Sequence, residues 1–155
     1  GRSGFQRVRI TARMFIGEFT HTVDDKGRVT IPARYRQQLE DGGFVTRGLD
    51  GCLVLYPDSE WKELTEKVKD LPMTDRRARD FRRFFYGSVA EAVLDRQGRI
   101  LLPSYLREYA SVGSDATVVG MDTYIEIWNP EIWHAMRQGV ENDEDNAERW
   151  AQLGI

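Results

Sequence analysis

The stretch VDDKGRVTIPARYR, from Val23 to Arg36, is written a second time as VLDRQGRILLPSYLR, from Val93 to Arg107. Asp24, Gly27, Arg28, Pro32 and Arg36 fall on Asp95, Gly98, Arg99, Pro103 and Arg107. The correspondence continues: RGLDGCLVLYPDSEW (Arg47 to Trp61) lies over VGMDTYIEIWNPEIW (Val119 to Trp133), and FIG (Phe15 to Gly17) over FYG (Phe85 to Gly87). Along the way the offset moves only from 70 to 72. No other feature constrains the chain more. A repeat of this length is small for independent stability, so two copies in 155 residues point to two modules that share one core.

Each half reads the same way. FTHTVDD and RVTI carry short β-type runs around a Gly-containing turn, which predicts a hairpin or a bent pair of strands. Pro32 and Pro103 close the second run and suit the first turn of a helix, predicted over ARYRQQLE and SYLREYA and stopped by Gly42-Gly43 and by Gly113. Two strands follow, FVTRGL with CLVLYP and ATVVGM with YIEIW, each pair joined at an Asp that suits a turn. A longer helix ends each half. Asp58 or Ser59 is placed to cap the first, whose Trp61, Leu64, Val68 and Leu71 share a face; Trp133, Met136 and Val140 do the same in the second. Pro72 stops the first of these helices. Between Thr74 and Tyr86 the spacing predicts a further helix, with Ala78, Phe81 and Phe85 on one side and Arg76, Arg79 and Arg83 on the other.

The repeated corner carries the chemistry. Gly27 and Gly98 supply the backbone freedom of a tight turn, and Asp24 and Asp95 are placed to accept its N–H groups. Arg28 and Arg99 then start a strand, each offering a planar fork that matches phosphate oxygens or the O6 and N7 of guanine. Lys26 adds a point charge at the first tip, and Arg36 and Arg107 follow one turn after the prolines. On the residues alone two readings stand: a donor array for nucleic acid, or a surface ion pair across a turn worth about 0–1 kcal/mol. Formal charge is −3, yet each corner, 24–36 and 95–107, carries +2, while ENDEDNAE (Glu141 to Glu148) alone carries −5.

The pattern D-x-K-G-R-V-x-I-P-x-x-x-R resembles the swapped-hairpin, AbrB-like DNA-binding module. Two copies after MFIGEF, with Asp24 to Arg28 and Asp95 to Arg99 each spelling D-x-x-x-R, resemble the MraZ family from Met14 to about Trp150. The resemblance implies an α+β fold of two tandem, pseudo-symmetric swapped-hairpin β modules. It implies a bacterial transcriptional regulator that binds direct repeats of promoter double-stranded DNA upstream of its own cell-division and cell-wall operon. It also implies a ring-shaped homo-oligomer in the cytoplasm, associated with the nucleoid. The motif arginines carry over to Arg28 and Arg99, and those after proline to Arg36 and Arg107. The second half departs from the first: Asp25, Lys26 and Arg34 become Arg96, Gln97 and Tyr105. The expected DNA-binding set is therefore Lys26, Arg28, Arg34, Arg36, Arg96, Arg99 and Arg107, on turns fixed by Asp24, Gly27, Asp95 and Gly98, with the first half dominant.

Other classes find little purchase. A hydrophobic fraction of 41% with 30% charged residues describes a globular protein, and no apolar run reaches the roughly 18 residues a membrane span needs. Cys52 is alone, which excludes an internal disulfide and a cysteine zinc site; in GCLVLY it reads as a small core residue of a reducing compartment. His21 and His134 lack ligand-spaced partners, and Asp24-Asp25 lack a nucleophile, so neither a cofactor, a metal, a small-molecule substrate nor an enzyme is expected. Tyr56, Trp61, Trp128 and Trp133 read as packing, and the arginine-rich helix as a solvated face packed on the core. The expected organisation is residues 1–13 as a cloning remnant or upstream extension, 14–72 and 73–140 as the two repeats, and 141–155 as an acidic tail. A rival from another class keeps the ring and makes the Asp–Arg corners subunit or partner contacts.

Overall fold

The computed structural model describes residues 14–155, so the expectation for residues 1–13 lies outside the described residues. The elements run β1 (Glu18–Thr22), β2 (Arg28–Thr30), β3 (Gly43–Arg47), β4 (Leu53–Pro57), α1 (Asp58–Lys69), α2 (Arg76–Tyr86), β5 (Ala90–Ala92), β6 (Arg99–Leu101), α3 (Ser104–Ala110), β7 (Asp115–Gly120), β8 (Ile125–Trp128), α4 (Pro130–Glu141) and α5 (Asn146–Ala151). This is the α+β fold of two tandem modules. Six strands form one antiparallel sheet in the order β1-β7-β8-β4-β3-β5, and β2 and β6 form a separate two-stranded ribbon.

The order shows how the duplication is used. Strand β1 of the first repeat pairs with β7 of the second, and β5 of the second pairs with β3 of the first. Of the two predicted forms, a hairpin or a bent pair of strands, the structure has the bent pair: past the Asp24–Arg28 turn the segments join at the Val23–Val29 bridge, and β1 and β2 each pair along their length with a strand of the other repeat. A pseudo-twofold axis relates the halves. In the ribbon Val29 faces Ile100, its own repeat equivalent, and at the sheet centre Val54 faces Glu126, also its equivalent.

The strands alternate because each has two different neighbours. Leu53, Leu55, Ile125 and Ile127 face the ribbon and pack with Val29, Ile31, Tyr35, Ile100, Leu102 and Leu106 in one core drawn from both repeats. Fully burying a Val, Leu or Ile side chain contributes about 1.5–3 kcal/mol, so this layer holds the ribbon in place. On the other face Cys52, Val54 and Trp128 join Phe85, Trp61, Tyr56 and Trp133 beneath the helices. Trp61 stacks on Phe85 at 5.3 Å and on Phe44 at 5.0 Å, which makes the aromatics packing groups.

Local departures from the expected elements have local causes. The segment after Pro32 is two 3-10 turns, Ala33–Tyr35 and Gln37–Leu39, where SYLREYA forms the α-helix α3. Tyr35 is pulled inward to pack edge-on against Phe15 and Phe19, with its hydroxyl donating to the Ile16 carbonyl. Helix α3 is ended by Ser111 in the left-handed region at φ 55°, two residues before Gly113. Neither Asp58 nor Ser59 caps α1; the capping position is Pro57, without a side-chain bond, and Asp58 is the first helical residue. Ala78 and Phe85 of α2 are buried as the spacing predicts, but Met136 and Val140 of α4 stay 38% and 42% exposed. The acidic segment runs on into α5, where Asp143 pairs with Arg149.

Candidate nucleic-acid interface

The ribbon follows from a five-residue corner used twice. Asp24 Oδ1 accepts the backbone N–H groups of Lys26 (3.1 Å) and Arg28 (2.8 Å), while its backbone carbonyl accepts from Gly27 N (3.0 Å). Asp95 does the same for Gln97 (2.9 Å), Arg99 (2.9 Å) and Gly98 (3.0 Å). Both carboxyls sit below the usual carboxylate range, chiefly because the N–H groups of Arg28 and Arg99 bond the charged form, and both therefore stay ionised. The turn thus fixes the base of each arginine before anything binds to it.

The period-two alternation of a strand then sorts the side chains. Val29 and Ile100 point into the core at 0% and 1% exposure, so Arg28, Thr30, Arg99 and Leu101 share the outer face. The antiparallel register sets Arg28 opposite Leu101 and Thr30 opposite Arg99. The two corners are joined by charge: Arg99 Nε donates to Asp95 (2.9 Å) and its Nη1 reaches Asp24 of the other repeat (3.4 Å), while Arg28 lies 3.6 Å from the same Asp24 oxygen. The side chains of Arg28 and Arg99 are 34% and 24% exposed, steered by their carboxylates yet open to the outside. Each guanidinium has five N–H donors, and these contacts leave several unused.

Arg36 and Arg107 have a different setting. Arg107 Nε donates to the Leu102 carbonyl (3.0 Å), and Leu102 N donates to the carbonyl of Gly27 (2.8 Å), so Arg107 lies over the corner of the opposite repeat. Arg36 repeats this with Ile31 (2.9 Å) and Gly98. Gly27 and Gly98 adopt φ of +88° and +75°, and a side-chain carbon on Gly27 would stand 2.5 Å from Arg107 Nε. Glycine is required there twice over, for the backbone angle and for the guanidinium it makes room for. Lys26 and Arg96 are exposed at the two corner tips, Arg34 is exposed on the 3-10 turn after Pro32, and none of the three forms an ion pair among the described residues. The structure thus brings six of the seven cations named from sequence, Lys26, Arg28, Arg36, Arg96, Arg99 and Arg107, to the ribbon and its corners, and sets Arg34 on the neighbouring turn. It adds Thr30 and Leu101 (54% exposed), which the alternation of RVTI and RILL carries but which a search for charge passes over.

The remaining features offer no chemistry of this kind. Among the described residues no group of three or more His, Cys, Asp or Glu side chains converges as a metal site would. Nor is any described helix long and apolar enough to cross a membrane. Cys52 is buried and its thiol is pushed up to about 12, mainly by burial, so it is no ready nucleophile.

Comparison with known proteins adds a relationship to this geometry. The profile of a family described as "MraZ protein, putative antitoxin-like" matches the chain twice, over residues 14–84 and 85–153. A protein of Carboxydothermus hydrogenoformans named Transcriptional regulator MraZ is 48% identical over 128 residues, which cover 83% of this chain and 90% of that one. One of Clostridium acetobutylicum with the same name is 46% identical over 142 residues, covering 92% of this chain and 100% of the relative. A third, from Desulfitobacterium hafniense, is 48% identical over 143 residues with the same coverage.

Proposed function

This chain belongs to the MraZ family, and from that premise we propose that it is a sequence-specific, DNA-binding transcriptional regulator whose β2–β6 ribbon meets the duplex. The carrying observation is that the corners of two distant repeats share one outward face and one carboxylate, Asp24. A two-stranded ribbon fits the major groove, which is about 12 Å wide. Arg28 and Arg99 are the base-reading groups, each able to offer a bidentate fork to guanine. Lys26, Arg34 and Arg96 meet phosphates and set the register. Arg36 and Arg107 hold the corners from behind, and contribute positive potential while doing so.

The finer reading is a ring-shaped homo-oligomer on direct repeats upstream of its own operon. A corner charge of +2 per repeat is modest, and each neutralised phosphate contributes a slope of about 0.9 to the salt dependence. Linked subunits make later contacts intramolecular and gain about 10²–10⁴-fold in avidity where the geometry permits. Heterologous contacts between subunits place neighbours in the same orientation, as direct repeats require.

The test is Arg28→Ala combined with Arg99→Ala, titrated by fluorescence anisotropy against the DNA upstream of its own gene and a scrambled duplex, with particle mass measured in parallel. Each lost bidentate contact costs about 1–3 kcal/mol, so specific affinity is expected to fall by about 5- to 160-fold per arginine while mass is unchanged. Retained specific affinity would remove the ribbon from the interface. Collapse to a smaller particle would instead make the Asp–Arg corners subunit contacts, as the rival reading holds.

A further inference from the structure

The outer face of the β2–β6 ribbon holds its side chains in two cross-strand pairs, Arg28 with Leu101 and Arg99 with Thr30. The pairs are not alike. The pseudo-twofold axis carries one arginine onto the other, but it carries Thr30 of RVTI onto Leu101 of RILL. One arginine therefore has an aliphatic neighbour and the other a hydroxyl. Hydrogen bonding fixes how close each neighbour stands. The Leu102 N–H donates to the Gly27 carbonyl (2.8 Å), and the Ile31 N–H to that of Gly98 (2.9 Å). These are the bonded positions of the antiparallel ladder, so by alternation Arg28–Leu101 and Thr30–Arg99 are its non-bonded pairs. There the Cα atoms approach to about 4.5 Å and the side chains lie closest together.

Scattered exposed leucines are ordinary on a protein surface, but this one has a fixed place. Leu101 is 54% exposed, across from Arg28 and two residues after Arg99, while Val29 and Ile100 beside it are taken into the core. Strand β6 is pinned at both ends, at Gly98 and at Leu102, so Leu101 is held as firmly as the guanidinium it faces. Its side chain has no donor and no acceptor, and it can enter recognition by apolar contact alone. Phosphates and the polar base edges gain nothing from such a group. In the major groove every base pair presents donors or acceptors, and thymine adds an apolar feature, its C5-methyl. Successive base pairs are stacked about 3.4 Å apart. The separation of Arg28 and Leu101 matches that step, so the fork and the aliphatic group reach neighbouring base pairs.

We propose that Leu101 is a specificity-determining residue, which reads the C5-methyl of a thymine beside the guanine taken by Arg28. The Arg99–Thr30 pair makes a weaker demand at the other end of the ribbon, because the Thr30 hydroxyl suits a donor or an acceptor equally. This assignment deepens the DNA contact of the proposed function and rests on it.

The probes are the duplex upstream of its own gene and a scrambled duplex, each made once with thymidine and once with deoxyuridine at every thymine. Deoxyuridine deletes the methyl and leaves every hydrogen-bonding group in place. The scrambled pair measures what the methyls contribute through the DNA itself. Fluorescence anisotropy reads affinity for wild type, Leu101→Ala and Thr30→Ala, and circular dichroism and particle mass follow fold and assembly. Burying one methyl group contributes about 4-fold in affinity. Wild type is therefore expected to prefer the thymidine form of the upstream duplex by about 4-fold or more, beyond any preference on scrambled DNA. Leu101→Ala is expected to bind both forms alike, within about 2-fold, at the level of wild type on deoxyuridine DNA. Thr30→Ala is expected to keep the preference. Wild type that binds the upstream duplex specifically but equally well in both forms overturns the assignment and leaves the ribbon on DNA. A preference that survives in Leu101→Ala overturns it too. So does a loss of equal size on both forms, which would make Leu101 a wedge or a backbone contact, and so does a changed fold or mass, which would make it structural. A wild-type chain that does not distinguish upstream from scrambled DNA sinks the functional reading, and this assignment with it.

Discussion

Replacing Gly27 with alanine tests the interlocked corner where its geometry is most demanding. The backbone there sits at φ +88°, and the added carbon would stand 2.5 Å from Arg107 Nε and 2.8 Å from the Leu102 carbonyl oxygen. The backbone angle alone costs an L side chain about 1–2 kcal/mol. Displacing Arg107 also breaks its bond to Leu102, and a charged hydrogen bond is worth about 1.5–3 kcal/mol, toward the lower end for a half-exposed group. The sum is about 3 kcal/mol, which for a domain of this size lowers Tm by about 6–12 °C. Gly51→Ala is the built-in control: φ is +86°, yet no atom lies within 4 Å of the new carbon, so only the angle is charged, about 1–2 kcal/mol. Urea unfolding followed by circular dichroism compares the two. With Arg107→Ala already present, Gly27→Ala should lose most of its excess over Gly51→Ala, leaving the contact with the Leu102 carbonyl. Equal destabilisation of the two glycine variants, within about 0.5 kcal/mol, would refute the idea that Gly27 exists to seat a guanidinium.

Two further expectations follow from the titratable groups. Asp24 and Asp95 have native values lowered below the ordinary carboxylate value of about 3.9, so their contribution is present above that value and is lost as pH falls through the lowered native ones. Acid unfolding should thus be less steep for Asp24→Asn with Asp95→Asn than for wild type, and an unchanged slope would remove these carboxylates from the stability balance. The Cys52 thiol, pushed up to about 12 and buried, should resist an aromatic disulfide reagent at pH 8 in the native protein and react at once in denaturant; fast native labelling would contradict the burial.

The duplication and the corner were legible in the residues because both are written locally. Asp, Gly and Arg at fixed spacing specify a turn and a strand start wherever they occur, and the register of RVTI against RILL places their arginines on one face. What could not be read was which strand meets which. β1 carries an alternation that any antiparallel neighbour satisfies, and it finds β7 almost a hundred residues away rather than β2 next door. The same holds for Arg36 and Arg107: their spacing from proline gives a direction along a helix, but the glycine they cover belongs to the other repeat. Helix α4 shows a third case. Its stripe of Met136 and Val140 is indistinguishable in sequence from the stripe on α1, yet the short α5 that follows leaves Met136 and Val140 38% and 42% exposed. The short turns after Pro32 depart from helix because Tyr35 is drawn inward to hold Phe15 and Phe19, a tertiary demand stronger than local propensity.

The axis through Val29 and Ile100 has one more implication. Backbone symmetry makes the two ends of the ribbon interchangeable in shape, whereas Asp25, Lys26 and Arg34 against Arg96, Gln97 and Tyr105 make them unlike in kind. A perfectly even-handed reader would lie on its operator equally well in either of two senses. This one has a front and a back, so, if it meets DNA as proposed, a run of identical sites all pointing one way is the text it would follow.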